Sequence, residues 1–408
     1  MRRQGAAARP TLAEVARRGS GRLVGSTLPR ATFPLLEPER SAMTPPPSES
    51  DVLEALRPIV DPDFGKSIVD LGFVKNLRVE GSRVSFAIEL TTPACPVKAE
   101  FEKAARERVA ALPGVEDVAV TMTAQTRTSR AMSPAPSEIL PGVRNTIAVA
   151  SGKGGVGKST TAVNLALALR DLGATVGILD ADVYGPSLQL LLGEHARPRT
   201  IERKILPNEA YGMKIMSMGF FVSENSPVIW RGPMVHGLIT QFLKDVDWGT
   251  LDYLVIDLPP GTGDAALTLT QQAPLSGAVI VTTANDLSLI DARKGLKMFE
   301  KVNVPVLGII ENMSYFVPPD LPDRRYYIFG RGGGLRTAKE LGVDFLGEVP
   351  IDPRVVEGGD AGKPIVVYAP ESDAAGAFRG LAGTIARKLA VLGSEPPAIA
   401  DASIEWVS

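Results

Sequence analysis

Ten consecutive residues carry the clearest chemistry in the chain: Ser151-Gly152-Lys153-Gly154-Gly155-Val156-Gly157-Lys158-Ser159-Thr160. Gly152, Gly157, Lys158 and Ser159 satisfy G-x-x-x-x-G-K-[ST], a phosphate-binding loop. The glycines free the backbone N–H groups, including that of Val156, to turn inward on phosphate oxygens. The following helix start adds partial positive charge. Lys158 is placed to reach the β- and γ-phosphates, and the Ser159 hydroxyl to ligate Mg²⁺. A second lysine, Lys153, stands where most such loops have none.

Such a loop needs acids at the ends of neighbouring strands. Val176-Gly177-Ile178-Leu179-Asp180-Ala181-Asp182 ends an apolar run in two acids. Tyr253-Leu254-Val255-Ile256-Asp257 ends another in one, followed by Leu258-Pro259-Pro260-Gly261-Thr262-Gly263-Asp264. Mg²⁺ takes hard oxygen ligands and keeps several waters, so one or two carboxylates suffice. Asp257 is therefore expected beside the metal, with Gly261 in a switch loop behind it, and Asp180 and Asp182 are further candidate acids. A helix cap or a solvated loop charge is the plainer role for any of these acids, and for Asp264 a cap and a switch role stand level.

The elements that must position these groups follow from the apolar pattern. Near-continuous apolar runs predict buried parallel strands at 146–150, 175–180, 253–258, 277–283, 304–310 and 344–348. Helical spacing predicts helices at 161–171, 288–302 and 335–342. The alternation predicts an α/β fold with a mainly parallel, doubly wound sheet and its ligand at the strand C-termini. A small α+β unit precedes it, with a helix over 51–60, strands over 73–79 and 83–91, a helix over 97–112 and a strand over 115–123. The expected organisation is a disordered basic extension and linker (1–49), the small domain (50–124), a proline-containing linker (125–142), the nucleotide domain (143–394) and a tail (395–408).

Composition narrows the classes. The chain has 408 residues, 44% hydrophobic and 22% charged, with a formal net charge of −2. Nothing global points to nucleic acid or an acidic membrane. No apolar run reaches the roughly 18–20 residues that cross a bilayer. The single cysteine, Cys95, suits a reducing compartment, and a cytoplasmic protein is expected. The first 42 residues hold eight arginines against three glutamates and lack a continuous apolar stretch. That resembles an organellar transit peptide; a disordered tail, or a true start at Met43, is the simpler expectation.

Together GKGGVGKS, DADVYGPS, DLPPGTGD and ENMSYF resemble the Mrp/ApbC family of iron–sulfur cluster carrier ATPases, within the P-loop group of MinD, ParA and the nitrogenase iron protein. The likeness extends through WRGPMVHG (230–237), DARKGLKMF (291–299), FGRGGG (329–334) and PIDPRVVEGGDAGKPI (350–365). The small unit, with DPDFGKSIVDLGFV and TTPACP, resembles the metal–sulfur cluster assembly domain often fused ahead of Mrp. The resemblance implies an ATPase whose Lys153 reaches across a homodimer to the partner's nucleotide and whose Asp182 positions the attacking water, with Asp180 close to the metal. It implies that Asn312 reads the adenine edge and that Pro350-Ile351-Asp352 flanks the base. ATP and Mg²⁺ are the implied cofactors, a [4Fe–4S] cluster the cargo, and apoprotein clients the partners, with neither nucleic acid nor membrane.

The pattern breaks where the family carries Cys-x-x-Cys. Residues 311–325 read ENMSYFVPPDLPDRR, without a cysteine. Four soft thiolates are what a [4Fe–4S] cluster takes, and one chain has one thiol. Cys95 lies in a strand-to-helix loop, where a helix N-terminus is expected to lower its pKa and make it a cluster ligand; a small buried apolar residue is the plain reading. His195 and His236, far apart and not in ligand spacing, are expected to be surface or structural. Two functions from different classes remain: an ATP-driven cluster carrier, and a nucleotide-switched adaptor that holds no cluster.

Overall fold

The protein is described by a computed structural model over residues 46–128, 139–183, 185–221 and 232–394. The basic extension up to residue 45, the middle of the 125–142 segment, Tyr184, Trp230 and Arg231 of the WRGPMVHG motif, and the 395–408 tail lie outside the described residues, as do the expectations attached to them.

The small domain begins where Ser48 caps helix Glu49–Leu56, its side chain accepting from the Asp51 N–H while Asp51 bonds back. This capping box satisfies two of the orphan amides at the helix start. Strands Val74–Glu80 and Arg83–Leu90 form an antiparallel hairpin closed at Gly81-Ser82, with Gly81 at φ +63°. Helix Lys98–Ala110 then carries the chain over to Asp117–Ala124, which pairs parallel with Arg83–Leu90. Val52, Leu56, Ile68, Val84, Phe86, Ile88, Phe101 and Val109 are buried together between sheet and helices.

The larger domain is built on an eight-stranded sheet. In spatial order the strands are Asn208–Ala210, Met213–Ser217, Val176–Asp180, Leu251–Asp257, Val143–Ser151, Gly277–Thr282, Val306–Glu311 and Phe345–Glu348. All neighbours pair parallel except the first two. From Val143–Ser151 the chain winds outward on one side and later returns to the other. The end of that strand is thus a topological switch point, where open α/β sheets bind ligands. Its successor, helix Lys158–Asp171, is buried from Thr161 through Leu169. The sheet lies on one side of it and the terminal helix Asp373–Leu392 on the other, so this helix is apolar almost all round.

The two domains share buried contacts. The Thr92 hydroxyl and the Tyr253 phenol are 2.7 Å apart, and Ala94 belongs to the core of the larger domain. Arg387 of the terminal helix pairs with Asp63 at 3.4 Å. The described ends of the 125–142 segment are pinned rather than loose. The Arg127 N–H donates to the Thr91 carbonyl, the Arg127 carbonyl accepts from Asn145 Nδ2 at 3.0 Å, and Ile139 and Leu140 are buried.

The predicted strands and helices reappear with ends moved by no more than four residues. The small domain's first helix stops at Leu56, and the predicted 288–302 helix starts at Asp286 because Asn285 caps it. Strand Met213–Ser217 and helices Gly232–Lys244, Asp264–Gln272 and Asp373–Leu392 have no counterpart in the sequence reading. In Met213-Lys214-Ile215-Met216-Ser217 polar and apolar residues mix over five positions, too few for a period to stand out.

Glu311 closes its strand and ties down both ends of the 312–333 excursion. Fully buried, its carboxylate accepts from the Ser314 hydroxyl at 2.7 Å and from the Gly334 N–H at 2.6 Å. Replacing Glu311 by alanine strands both donors, at about 1–3 kcal/mol for each buried group left unpaired. The expected result is a fall of several degrees in the thermal unfolding midpoint of Glu311→Ala and a smaller one for Glu311→Gln, which keeps an acceptor. An unchanged midpoint for Glu311→Ala would remove this residue as the anchor of the excursion.

Candidate functional site

The phosphate-binding loop joins strand Val143–Ser151 to helix Lys158–Asp171 with Gly157 at the N-cap, φ +78°. Gly155 is also left-handed, φ +82°. Two glycines are demanded by close approach. A Cβ on Gly157 would lie 2.3 Å from Asn312 Nδ2, and one on Gly152 would lie 2.2 Å from the Asp291 carbonyl carbon. Gly154 meets nothing and is exposed. Three further bonds hold the loop: Ser151 Oγ donates to the Lys153 carbonyl at 2.9 Å, the Gly261 N–H to the Ser151 carbonyl at 2.9 Å, and Asn164 Nδ2 to the Thr160 carbonyl at 2.8 Å. Gly261, at φ +85°, thereby lies against the loop.

Lys158, Ser159 and Asp257 converge. Lys158 Nζ is 2.5 Å from Asp257 Oδ1 and 3.4 Å from Ser159 Oγ. Lys158 is 7% exposed and Asp257 not at all. Burial pushes the Asp257 carboxyl up, while the Lys158 ammonium favours its ionised form. Asp257 Oδ2 is buried with no hydrogen-bond partner. A buried carboxylate oxygen left free beside a serine hydroxyl is a hard-oxygen donor set, and it fits Mg²⁺.

Asp180, expected close to the metal, is hydrogen-bonded on both carboxylate oxygens. Its Oδ1 accepts from the Asp182 N–H at 3.0 Å. Its Oδ2 accepts from the N–H groups of Ser187 (3.0 Å) and Leu188 (3.3 Å) and from Ser217 Oγ (3.1 Å). Both oxygens accept from the loop that follows the strand, and Oδ2 also from Ser217 at the end of the neighbouring strand, so Asp180 organises that loop. Burial, and then the Asp257 carboxylate on the adjacent strand, push its pKa up to about 7 against those amides. Ser217, unmarked in the sequence, belongs to this arrangement. Asp182 is 8% exposed and accepts from the Gly185 N–H at 3.2 Å. Lys153 is half-buried, with no acidic partner among the described residues. Asp264 is an exposed first-turn residue of its helix.

Asn312 serves the loop directly. Its Nδ2 donates to the Val156 carbonyl at 2.9 Å and its N–H to the Thr282 carbonyl at 2.8 Å. Pro350 and Asp352 line a cavity of about 550 Å³, walled on its other sides by Phe316–Pro319 and by 371–373. Asp352 caps helix Pro353–Asp360 and is held by Arg354 at 2.8 Å. A second cavity of about 560 Å³, beside Glu194, Arg197, Lys214 and Asp247, contains none of the motif residues.

Cys95 corrects the sequence expectation. It is half-buried against the small-domain core, and burial pushes its thiol pKa up, with the Val97 amide opposing and the Asp61 and Asp63 carboxylates adding to the rise. Loss of solvent outweighs the helix-start effect. Among the described residues no group of three His, Cys, Asp or Glu side chains is placed to hold a metal ion. His195 and His236 are exposed, as expected, and His236 bonds to Gln272 at 2.7 Å. No described helix is long and apolar enough to cross a membrane.

Comparison with known proteins agrees with this geometry. Residues 142–386 match the family described as NUBPL iron-transfer P-loop NTPase, and residues 49–122 the family described as iron–sulfur cluster assembly protein. An iron–sulfur cluster carrier protein of Synechocystis sp. is 51% identical over 345 residues, covering 83% of this chain and 97% of its own. A chloroplastic Fe–S cluster assembly factor of Arabidopsis thaliana is 49% identical over 348 residues; the match covers 84% of this chain and 64% of that longer protein. Among solved structures, a nucleotide-binding protein from Archaeoglobus fulgidus in complex with ADP superposes with a TM-score of 0.51 at 40% identity, covering 58% of this chain and 93% of that one. With a family match over most of its length and a half-identical relative along nearly all of that relative, the chain belongs to the NUBPL-type iron-transfer P-loop NTPases.

Proposed function

We propose that the protein is an ATP-binding and ATP-hydrolysing iron–sulfur cluster carrier that works as a homodimer and hands clusters to apoprotein clients. The observation that carries the nucleotide half is the convergence of Lys158, Ser159 and the free Asp257 Oδ2 at the glycine loop. The carrier half is supported by relatives named iron–sulfur cluster carrier and transfer proteins.

The backbone amides of 152–160 and the Lys158 ammonium cradle the phosphates, and Lys158 exchanges Asp257 for them as ATP binds. Ser159 and Asp257 hold Mg²⁺, which supplies charge neutralisation at the phosphate oxygens. Asp180 acts on the loop rather than on the metal, and through it sets Asp182, which orients the attacking water. Lys153, with no acidic partner among the described residues, reaches the nucleotide of the second subunit and stabilises the charge that develops there, in the manner of an arginine finger. Asn312 braces the loop from the base side, with Pro350 and Asp352 flanking the adenine.

The cargo end is lean. Two subunits bring two Cys95 thiols, so a four-thiolate cluster needs further ligands from the client or donor protein. The raised thiol pKa and the lack of a metal-holding group among the described residues favour a second reading, a nucleotide-switched adaptor in cluster assembly that holds no cluster.

Four outcomes are expected. Lys158→Ala loses ATP turnover almost entirely and also loses stability, because Asp257 is left buried and unpaired, a defect of about 3–5 kcal/mol. Lys153→Ala keeps the stability and nucleotide affinity of the parent and loses turnover; turnover at the parental rate would remove the cross-subunit role. Asn312→Ala raises the KM for ATP about tenfold, a loss of about 1.4 kcal/mol for one bracing bond, and lowers the unfolding midpoint because the buried Val156 carbonyl loses its donor; an unchanged KM would leave Asn312 a packing residue. After anaerobic reconstitution with iron and sulfide, the carrier reading expects iron and a visible absorption band in the parent and their loss in Cys95→Ser. No iron above background with Cys95 intact selects the adaptor.

A further inference from the structure

The loop that carries Cys95 is seated on the nucleotide-binding sheet. On one side of the thiol, Thr92 Oγ1 lies 2.7 Å from the Tyr253 hydroxyl; the two residues are 2% and 0% exposed. Thr92 Oγ1 also accepts the Ala94 N–H at 3.1 Å, and the Ala94 methyl is buried in the core of the larger domain. On the other side, Pro96 rests on Gly383 of the terminal helix, where a Cβ would come within 3.3 Å of its ring. The residues flanking Cys95 are therefore held by the nucleotide domain.

Tyr253 shares its strand with Asp257. Four residues apart in a strand they lie on the same face, about 13 Å from each other. The Asn145 side chain supplies a second tie, to the Arg127 carbonyl, while the Arg127 N–H bonds the Thr91 carbonyl. Asn145 is the register partner of Tyr253 on the strand that runs into the phosphate-binding loop. The loop of Cys95 thus hangs from paired positions on the two strands that end at the loop and at Asp257. At that far end Lys158 is bonded to Asp257 here, and under the proposed function it exchanges that partner for a phosphate.

We propose that Tyr253 is a positioning residue that couples the nucleotide site to the Cys95 loop, so that the nucleotide state sets the exposure and reactivity of the thiol. Removing Lys158 from Asp257 changes the end of the strand, and the buried Tyr253–Thr92 contact carries the change to the loop. The coupling is reciprocal: modifying Cys95 alters nucleotide affinity by the same factor that nucleotide alters the thiol's binding equilibria. The inference rests on the nucleotide-binding half of the proposed function and is independent of iron.

The test uses the whole chain and its single cysteine. The rate of Cys95 alkylation by N-ethylmaleimide is measured without nucleotide, with ADP and with ATP plus Mg²⁺, and nucleotide affinity is measured on the same samples. The parent is expected to show a rate change of about fivefold between states, at the lower end of typical couplings. Tyr253→Phe, which deletes one oxygen, is expected to bind nucleotide with parental affinity and to alkylate at one rate in every state. Thr92→Val reports the same loss should Tyr253→Phe fail to fold, and Thr92→Ser restores the response. A merely structural hydroxyl pair would lower the unfolding midpoint and leave the nucleotide response intact, and that result overturns the proposal. So does a parental rate that ignores nucleotide while nucleotide binds. Failure to bind nucleotide at all would overturn the proposed function together with this coupling.

Discussion

The buried ion pair between Lys158 and Asp257 is the constraint around which the larger domain is arranged. Removing both charges from water carries a desolvation penalty of several kcal/mol per ion, which Coulomb attraction offsets only when the geometry is good. A packed apolar pair would serve stability as well. The pair therefore makes sense as a device held ready: an ammonium that a phosphate can claim, and a carboxylate with one oxygen already free. Asp180 on the neighbouring strand adds a second carboxylate to the same buried volume. The amides of Asp182, Ser187 and Leu188 and the Ser217 hydroxyl make that tolerable, and in doing so they fix the loop that carries Asp182.

Placing these groups requires the sheet to be parallel and the phosphate loop to sit at its switch point. Val143–Ser151 lies between Leu251–Asp257 and Gly277–Thr282, so its C-terminal end opens between two sets of crossovers. Glycine at 152 and 157 then serves proximity: Asp291 comes against one and Asn312 against the other. Asn312 reaches the loop only because its own strand, ending at Glu311, is anchored by Ser314 and Gly334. The loop geometry thus depends on contacts contributed from far along the chain.

That dependence marks what the sequence could reveal. The glycine-lysine loop, the Asp257 strand end and the alternation of apolar strands with helices are local patterns, and they were legible. The Asn312 contact spans 156 residues and the Asp180–Ser217 contact 37, and no local period encodes either. The family likeness singles out Asn312 for the adenine edge, while its contact to Val156 emerges only in three dimensions. For Asp180 the strand-end position suggested a metal ligand, but the loop amides claim both oxygens. For Cys95 the sequence weighed the nearby helix start and could not weigh burial, which wins because a thiolate loses solvent on most sides here.

The cysteine-poor cargo end follows from the same physics. A protein that stored a cluster would surround it with thiolates whose charges the metal neutralises; four ligands from one site give permanence. One half-buried thiol per chain, with its pKa raised by burial and by the Asp61 and Asp63 carboxylates, is the opposite of such a site; under the proposed carrier function, a partner must supply the remaining ligands. Incomplete ligation is a liability for storage and an advantage for transfer, because the ligand count changes hands with the cargo. The nucleotide domain holds the thiol's loop from both sides through Thr92 and Pro96. In the proposed coupling, that mounting is what lets the nucleotide state act on the thiol.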